Sequence, residues 1–260
     1  MPSTELTESD VREIVETPVT GLPGRTPRAQ IVEEKPDNKG REKEPVFIID
    51  FSRSNLESAD PEGTMTKKDL LQLAIPLAAG KLADDDSQAK NEVGTDKGGV
   101  RSYGFNEPGE FTGWNAAEAE FDDPRDLGDI HEGNAQEKLG DEDAWDGRTY
   151  PMPAIRAAEK AFQAEFGNRP MRNRPTMMAV YWGDGKISTP EEENEFEAWV
   201  SQADEFCVVG IVLVGYGPGH DAAVKAFKKI ADKNPYVSVV ALTGVSDPTE
   251  AAFDVQLMAA

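Results

Sequence analysis

Short apolar runs alternate with helical patterns in the second half of the chain, and this alternation constrains the fold more than any other feature. Strand-like runs occupy 176–182, 208–214 and 237–242. A helix that begins at a capping signal covers 189–203, and a second helix runs through 224–230. Strands that alternate with helices form a parallel-rich sheet covered on both faces. The sequence therefore predicts an α/β fold, doubly wound, with a mostly parallel central sheet.

The first half of the chain contains the start of this pattern. Residues 1–44 are rich in Pro, Glu, Lys and Arg and poor in aromatic residues, so we expect an extended or disordered N-terminal arm. The folded domain is then 45–260, and its first buried strand is predicted at 46–49. A helix over 66–82, kinked at Pro76, comes next. The remaining predicted elements are a strand over 100–105, a helix through 155–166 and a last helix that begins at Asp247.

An acidic insertion at 106–148 interrupts the pattern. Loops of this length are rare in compact domains unless they are functional or locally folded. Its two tryptophans, Trp114 and Trp145, are either small local cores or anchors for a partner. Its aspartates at 141, 143 and 146 favour a solvated loop, because their spacing departs from that of an EF-hand, and a second cation site is the alternative.

Composition limits the classes of partner. The formal net charge of −22 argues against a nucleic-acid partner, because binding phosphates needs a basic surface. The single cysteine, Cys207, lies in an apolar run and is expected to be a buried, inert thiol. The N-terminus lacks the apolar core of a signal peptide, and no segment has the length of a membrane span. We therefore expect a cytoplasmic protein, or part of an assembly formed there.

A cluster of oxygen-bearing residues follows the predicted strands. Asp50, Ser52 and Ser54 form a D-x-S-x-S sequence directly after the first strand. Thr149 precedes the helix through 155–166, and Asp184 lies between two glycines at the end of the strand over 176–182. Ligands of parallel sheets bind at the carboxyl ends of strands, and hydroxyl and carboxylate oxygens suit Mg²⁺. The competing interpretation is that these residues only cap loops.

In this order of motifs the chain resembles the von Willebrand factor A (VWA) family, whose metal ion-dependent adhesion site (MIDAS) combines D-x-S-x-S, a later threonine and a later aspartate. The resemblance implies that Ser52, Ser54 and Thr149 ligate Mg²⁺ directly, with Mn²⁺ or Ca²⁺ as alternatives, and that Asp50 and Asp184 act directly or through water. A partner's carboxylate would fill the open coordination position. The segment 147–153 also resembles bacterial members found with tellurite-resistance systems. Thr112 is the alternative to Thr149, because the long insertion precedes the latter.

The sequence therefore predicts a metal-dependent protein-binding module, an adaptor and not an enzyme. The resemblance also implies an AAA+ ATPase of the MoxR type as a candidate partner. The main alternative is a structural component of a large assembly, such as a phage particle, with the arm at 1–44 wrapping neighbours. A hydrolase with Asp50 as nucleophile is disfavoured, since the second aspartate that such phosphatases use is replaced by Ser52. His131 and His220 are expected to have surface or capping roles.

Overall fold

The computed structural model describes residues 42–90, 99–106, 125–131 and 133–242. Within these ranges six strands form one sheet in the order β3-β2-β1-β4-β5-β6. The strands are β1 (Lys43–Asp50), β2 (Val100–Phe105), β3 (Arg125–Ile130), β4 (Thr176–Gly183), β5 (Cys207–Val214) and β6 (Val237–Leu242). The helices are α1 (Lys67–Lys90), α2 (Ala135–Leu139), α3 (Met152–Phe166), α4 (Pro190–Ser201) and α5 (Gly217–Ala231).

All neighbouring strands of the sheet are parallel except β2 and β3. Side chains alternate across each strand, so Phe47 and Ile49 of β1 enter one core layer and Val46 and Ile48 enter the other. Residues of α1 and α2 fill the first layer, and residues of α3, α4 and α5 fill the second. The predicted fold class, a mostly parallel sheet covered on both faces, is confirmed.

The insertion contributes secondary structure that the sequence analysis did not predict. β3 lies within 106–148 and pairs antiparallel with β2 at the edge of the sheet. The short helix α2 follows, and a 3-10 helix at Glu142–Ala144 comes after it. The polar residues of β3 gave no strand signal, because an edge strand lacks the apolar run of a central strand. The described part of the insertion is therefore locally folded.

Trp145 belongs to the core of the domain. Its side chain is fully buried, and its ring centroid lies 4.5 Å from that of Phe51. Its indole Nε1 donates a hydrogen bond of 3.0 Å to the carbonyl oxygen of Leu139. The interpretation of Trp145 as an anchor for a partner is therefore wrong. Trp114, Thr112, the helix expected from Asp247 and residues 1–41 of the arm lie outside the described residues.

Several boundaries differ from the predicted ones. β1 begins at Lys43, before the predicted end of the arm. α1 begins at Lys67 and continues through Pro76 to Lys90, beyond the predicted end at 82. Thr66 and Asp69 cap this helix reciprocally, with the Thr66 amide donating to Asp69 Oδ2 and the Asp69 amide donating to Thr66 Oγ1.

The sequence also gave expectations for three titratable side chains outside the cluster of oxygen-bearing residues. Cys207 is half-buried, less than expected, but burial still raises the pKa of its thiol to about 12, which agrees with an inert thiol. His220 is buried at the start of α5, which excludes the surface alternative of the expected surface or capping role, and burial lowers its pKa. His131 is exposed, and its Nδ1 accepts a hydrogen bond from the Gly133 amide within a turn. None of the described helices is long and apolar enough to span a bilayer.

Candidate functional site

The strand order places a crevice between β1 and β4. The chain builds the sheet from β1 through β2 to β3 and then returns to the other side of β1 with β4. Ligands of doubly wound sheets bind at such a reversal, outside the carboxyl ends of the strands. Asp50 is the last residue of β1, and Asp184 directly follows the last residue of β4. Two of the predicted site residues therefore lie at the point where the topology favours a ligand.

Asp50 is fully buried and oriented by its own loop. Its Oδ1 accepts a hydrogen bond of 2.8 Å from the Ser52 amide, and its Oδ2 accepts one of 3.4 Å from the Tyr181 hydroxyl. Burial, and next the negative charge of Asp184, raise the pKa of Asp50 to about 7. A carboxylate held in this way is stabilised by any cation placed beside it.

Ser52 and Ser54 are brought together by a 3-10 helix at Arg53–Leu56. Their Oγ atoms lie 3.1 Å apart. Two adjacent ligands of an octahedral Mg²⁺ at about 2.1 Å are roughly 3.0 Å from each other. Asn55, which the sequence analysis passed over, holds this turn, because its Nδ2 donates to the Asp50 carbonyl oxygen at 3.1 Å. The two serine hydroxyls share a hydrogen bond, and their spacing is also compatible with two ligands of one cation.

Thr149 lies on a loop that is bonded to both neighbouring segments of the site. The Gly147 carbonyl oxygen accepts a hydrogen bond of 3.1 Å from the Arg53 amide, and the positive φ of 75° at Gly147 favours glycine there. The Thr149 amide donates to Ser188 Oγ at 2.6 Å, and the Ser188 amide donates to the Thr149 carbonyl oxygen at 3.2 Å. The loop is therefore fixed between the serine turn and the segment that follows β4, and Thr149 itself is buried.

Asp184 has positively charged neighbours, unlike Asp50. Its Oδ1 accepts a hydrogen bond of 3.0 Å from the Lys186 amide, and its Oδ2 lies 2.8 Å from Lys67 Nζ. Lys67 Nζ also donates to the Ser54 carbonyl oxygen at 3.1 Å and to Glu57 Oε2 at 2.9 Å. Lys186 Nζ lies 2.6 Å from the same Glu57 oxygen. Lys67, Glu57 and Lys186 carry no motif that would have indicated these contacts in the sequence.

The residues fit a divalent cation held by hydroxyls and aspartates. In the described ranges no group of three or more His, Cys, Asp or Glu side chains is arranged to hold a metal. A cation in the crevice would therefore depend on hydroxyl ligands beside the two aspartates. The described carboxylates of Asp141, Asp143 and Asp146 are likewise not arranged as a second cation site, and Asp141 Oδ1 accepts a hydrogen bond from the Asp143 amide within its own turn.

Fold and crevice together define an α/β protein of the VWA/Rossmann-like class with a hydroxyl-carboxylate cluster at its topological switch point. The chain matches no protein-family model and no curated protein. Solved structures are similar to it, among them the PilB minor pilin from Streptococcus sanguinis, with a TM-score of 0.51 and 11% identity over 84% of this chain. The match spans 61% of the pilin, about three fifths of its length.

Two further solved structures align at lower scores. An aerotolerance-related membrane protein from Bacteroides fragilis gives a TM-score of 0.46 at 11% identity, covering 84% of this chain and 98% of that one. The manganese-loaded TRAP protein from Plasmodium vivax gives 0.47 at 14% identity, covering 85% and 74%. At these identities the likeness concerns the fold alone. The link to tellurite-resistance systems stays a prediction, because none of these comparisons bears on it.

Proposed function

We propose that this chain is a metal-dependent protein-binding module of the VWA type and not an enzyme. The observation that carries the proposal is the pair of serine hydroxyls 3.1 Å apart at the same sheet edge as two buried aspartates. Ser52, Ser54 and Thr149 would hold the cation directly, and Asp50 and Asp184 would act directly or through water. When bound, Mg²⁺, or Mn²⁺ or Ca²⁺ in its place, supplies a positive charge and an open position for a ligand of the partner.

The residues around the cluster support binding through a partner's carboxylate. Three of the five proposed ligands are neutral hydroxyls, so only Asp50 and Asp184 offset the cation's charge, and they offset it less where water lies between them and the ion. Asp50 fixes the turn through the Ser52 amide and is itself fully buried. A partner acid is attracted at this one point, although the whole chain carries a net charge of −22 and repels acidic surfaces at longer range. An adaptor role beside an AAA+ ATPase is one form that such binding can take.

The first test is direct titration of the purified protein with Mn²⁺ and with Mg²⁺ in a calorimeter. We expect one site, and we expect Ser52→Ala to weaken it on the order of tenfold or more. Ser201→Ala is the matched control, because Ser201 lies exposed at the end of α4 and its hydroxyl donates a hydrogen bond to the Glu197 carbonyl oxygen, away from the crevice. If wild type and Ser52→Ala give the same heat of binding, the ion binds at a site that does not include Ser52.

The partner is then sought by affinity capture from native lysate with Mg²⁺ and with EDTA. The proposal expects a protein that wild type and Ser201→Ala retain only in Mg²⁺ and that Ser52→Ala does not retain. Capture that is equal under all conditions would mean that the cluster takes no part in binding. In that case the alternative of a structural role in a large assembly gains weight, and the N-terminal arm becomes the segment to delete.

A further inference from the structure

Lys67 is a buried lysine inside the candidate site. Its side chain is 6% exposed, and its ammonium group contacts three oxygens, those of Asp184, Glu57 and the Ser54 main chain. Lysine is among the residues least often buried, and a buried ammonium needs partners that replace its hydration. Asp184, itself buried, is the partner that matches this need, since Glu57 is 58% exposed.

The position of Lys67 in α1 is electrostatically unfavourable for the helix. Lys67 is the first residue of the helix, where the backbone amides carry partial positive charge and favour acidic side chains. The Thr66 and Asp69 side chains already cap this end. Helix formation therefore does not explain a lysine at this position, whereas the contact with Asp184 does.

The ammonium group also lies where a bound cation would act. It is 2.8 Å from a carboxylate oxygen of Asp184, one of the five proposed metal ligands, and 3.1 Å from the main-chain carbonyl oxygen of Ser54, the residue whose hydroxyl is another. A divalent cation near Asp184 and the ammonium would repel each other across a buried space. The divalent cation and the Lys67 ammonium therefore compete for the Asp184 carboxylate.

We propose that Lys67 is a tethered competitor of the metal: it neutralises Asp184 when the site holds no ion, and a divalent cation must displace it. This inference rests on the proposed function. Glu57 gives the displaced ammonium an acceptor, because its Oε2 is already 2.9 Å from Lys67 Nζ and lies at the solvent side of the pair. Removing the competitor exposes the full affinity of the ligands, so the lysine sets the cation concentration at which the module binds.

The test measures Mn²⁺ affinity by calorimetry, with Mn²⁺ counted by electron paramagnetic resonance, in wild type, Lys67→Met and Lys67→Gln. Both variants should bind Mn²⁺ about tenfold more tightly or better, since a unit positive charge leaves the buried site. Lys160→Met is the matched control, because it removes the same charge from an exposed position on α3 and should bind like wild type. Lys67→Gln is included because its side-chain amide retains a hydrogen-bond donor for Asp184 without the positive charge.

Thermal unfolding gives a second readout that does not depend on activity. In EDTA the Lys67 variants should melt below wild type, because Asp184 loses its counter-ion, and saturating Mn²⁺ should raise their melting temperature by more than it raises that of wild type. Glu57→Gln tests the same proposal without a change in the core: the displaced Lys67 ammonium loses its negatively charged acceptor, so Mn²⁺ binding should be weaker than in wild type. The matched change on the exposed surface is Glu62→Gln, which should leave it unaltered.

The outcomes separate the two proposals. If wild type binds Mn²⁺ and the folded Lys67 variants bind it equally or more weakly, the competitor role is overturned and the metal-dependent module stands. If Lys67→Met and Lys67→Gln both fail to fold, the Glu57→Gln variant decides. Mn²⁺ binding in Glu57→Gln that is unchanged from wild type then overturns the competitor role. If neither wild type nor any variant binds Mn²⁺, the proposed function itself fails, and Lys67 is then a permanent structural replacement for the ion.

Discussion

Asp50 and Asp184 differ in what lies beside them, although both are buried at neighbouring strand ends. Asp184 has Lys67 at 2.8 Å and Lys186 at 3.7 Å. Asp50 has the Tyr181 hydroxyl and the Ser52 amide, and its pKa rises to about 7 through burial and the charge of Asp184. A shift in this direction means that the folded protein disfavours the ionised form of Asp50 when no cation is bound.

The stability of the metal-free protein should therefore fall as the pH rises. The pKa of Asp50 is raised in the folded state above its ordinary 3.8, so the folded protein holds a proton that the unfolded chain releases between about pH 4 and 7. In EDTA the free energy of unfolding should drop by up to about 4 kcal/mol between pH 4 and pH 8 from this group. Urea unfolding measures it. Asp50→Asn should lose most of this slope, and an unchanged slope would contradict the account.

Gly183 permits the close approach of the two strand ends. A Cβ atom at this position would lie 2.6 Å from the Asp50 Cβ and 2.7 Å from the Tyr181 hydroxyl. Gly183→Ala should therefore destabilise the protein by about 1–3 kcal/mol, as overpacking of a buried site does. Gly219→Ala is the matched control, because no atom lies within 4 Å of its added Cβ. Urea unfolding in which both variants match wild type would show that the strand ends can separate without cost.

At the scale of elements, the site depends on segments joined by backbone hydrogen bonds. The Lys67 amide donates to the Glu57 carbonyl oxygen at 3.0 Å, which ties the start of α1 to the end of the serine turn. The Arg53 amide ties the same turn to the loop of Thr149 through the Gly147 carbonyl oxygen. The ligands are thus positioned by rigid connections between elements that are far apart in sequence.

The segment around Trp145 supports the turn that carries Asp50, Ser52 and Ser54. Trp145 packs against Phe51, which lies directly between Asp50 and Ser52, and the Lys68 ammonium lies 5.8 Å from its ring centroid. Trp145→Ala should cost about 3–5 kcal/mol, as deletion of a buried aromatic side chain does. Thermal and urea unfolding test this, with the half-buried Trp199→Ala expected to cost less. An effect below 1 kcal/mol would mean that the segment does not belong to the core.

The elements that were predicted from the sequence have strong local signals. Val-Phe-Ile-Ile before Asp50 and the apolar run before Asp184 are the signature of buried parallel strands, and the rule for strand ends then brings their aspartates together. β3 was missed because it is an edge strand whose residues are mostly polar, so it lacks the apolar run of a central strand. Lys67 was missed because its partner Asp184 is 117 residues away, and no local pattern reports such a contact.

At the scale of the molecule, the strand order explains why the proposed metal ligands lie at the carboxyl ends of the central strands. The chain passes from β1 to β2 on one side and from β4 to β5 on the other, so these two connections diverge and open a crevice beside Asp50. The described residues on the rest of the sheet are largely apolar on both faces. The fold itself is compatible with many functions, so the function rests on the residues of this crevice.

The most direct measurement is a crystal structure of the protein soaked with Mn²⁺, with anomalous data collected at a wavelength that identifies manganese. The account predicts one strong anomalous peak in the crevice, at roughly 2.1 Å from Ser52 Oγ and Ser54 Oγ, with the Lys67 ammonium moved from Asp184 toward Glu57. A crevice without a peak, and with Lys67 still on Asp184 at saturating Mn²⁺, would contradict the metal-dependent module.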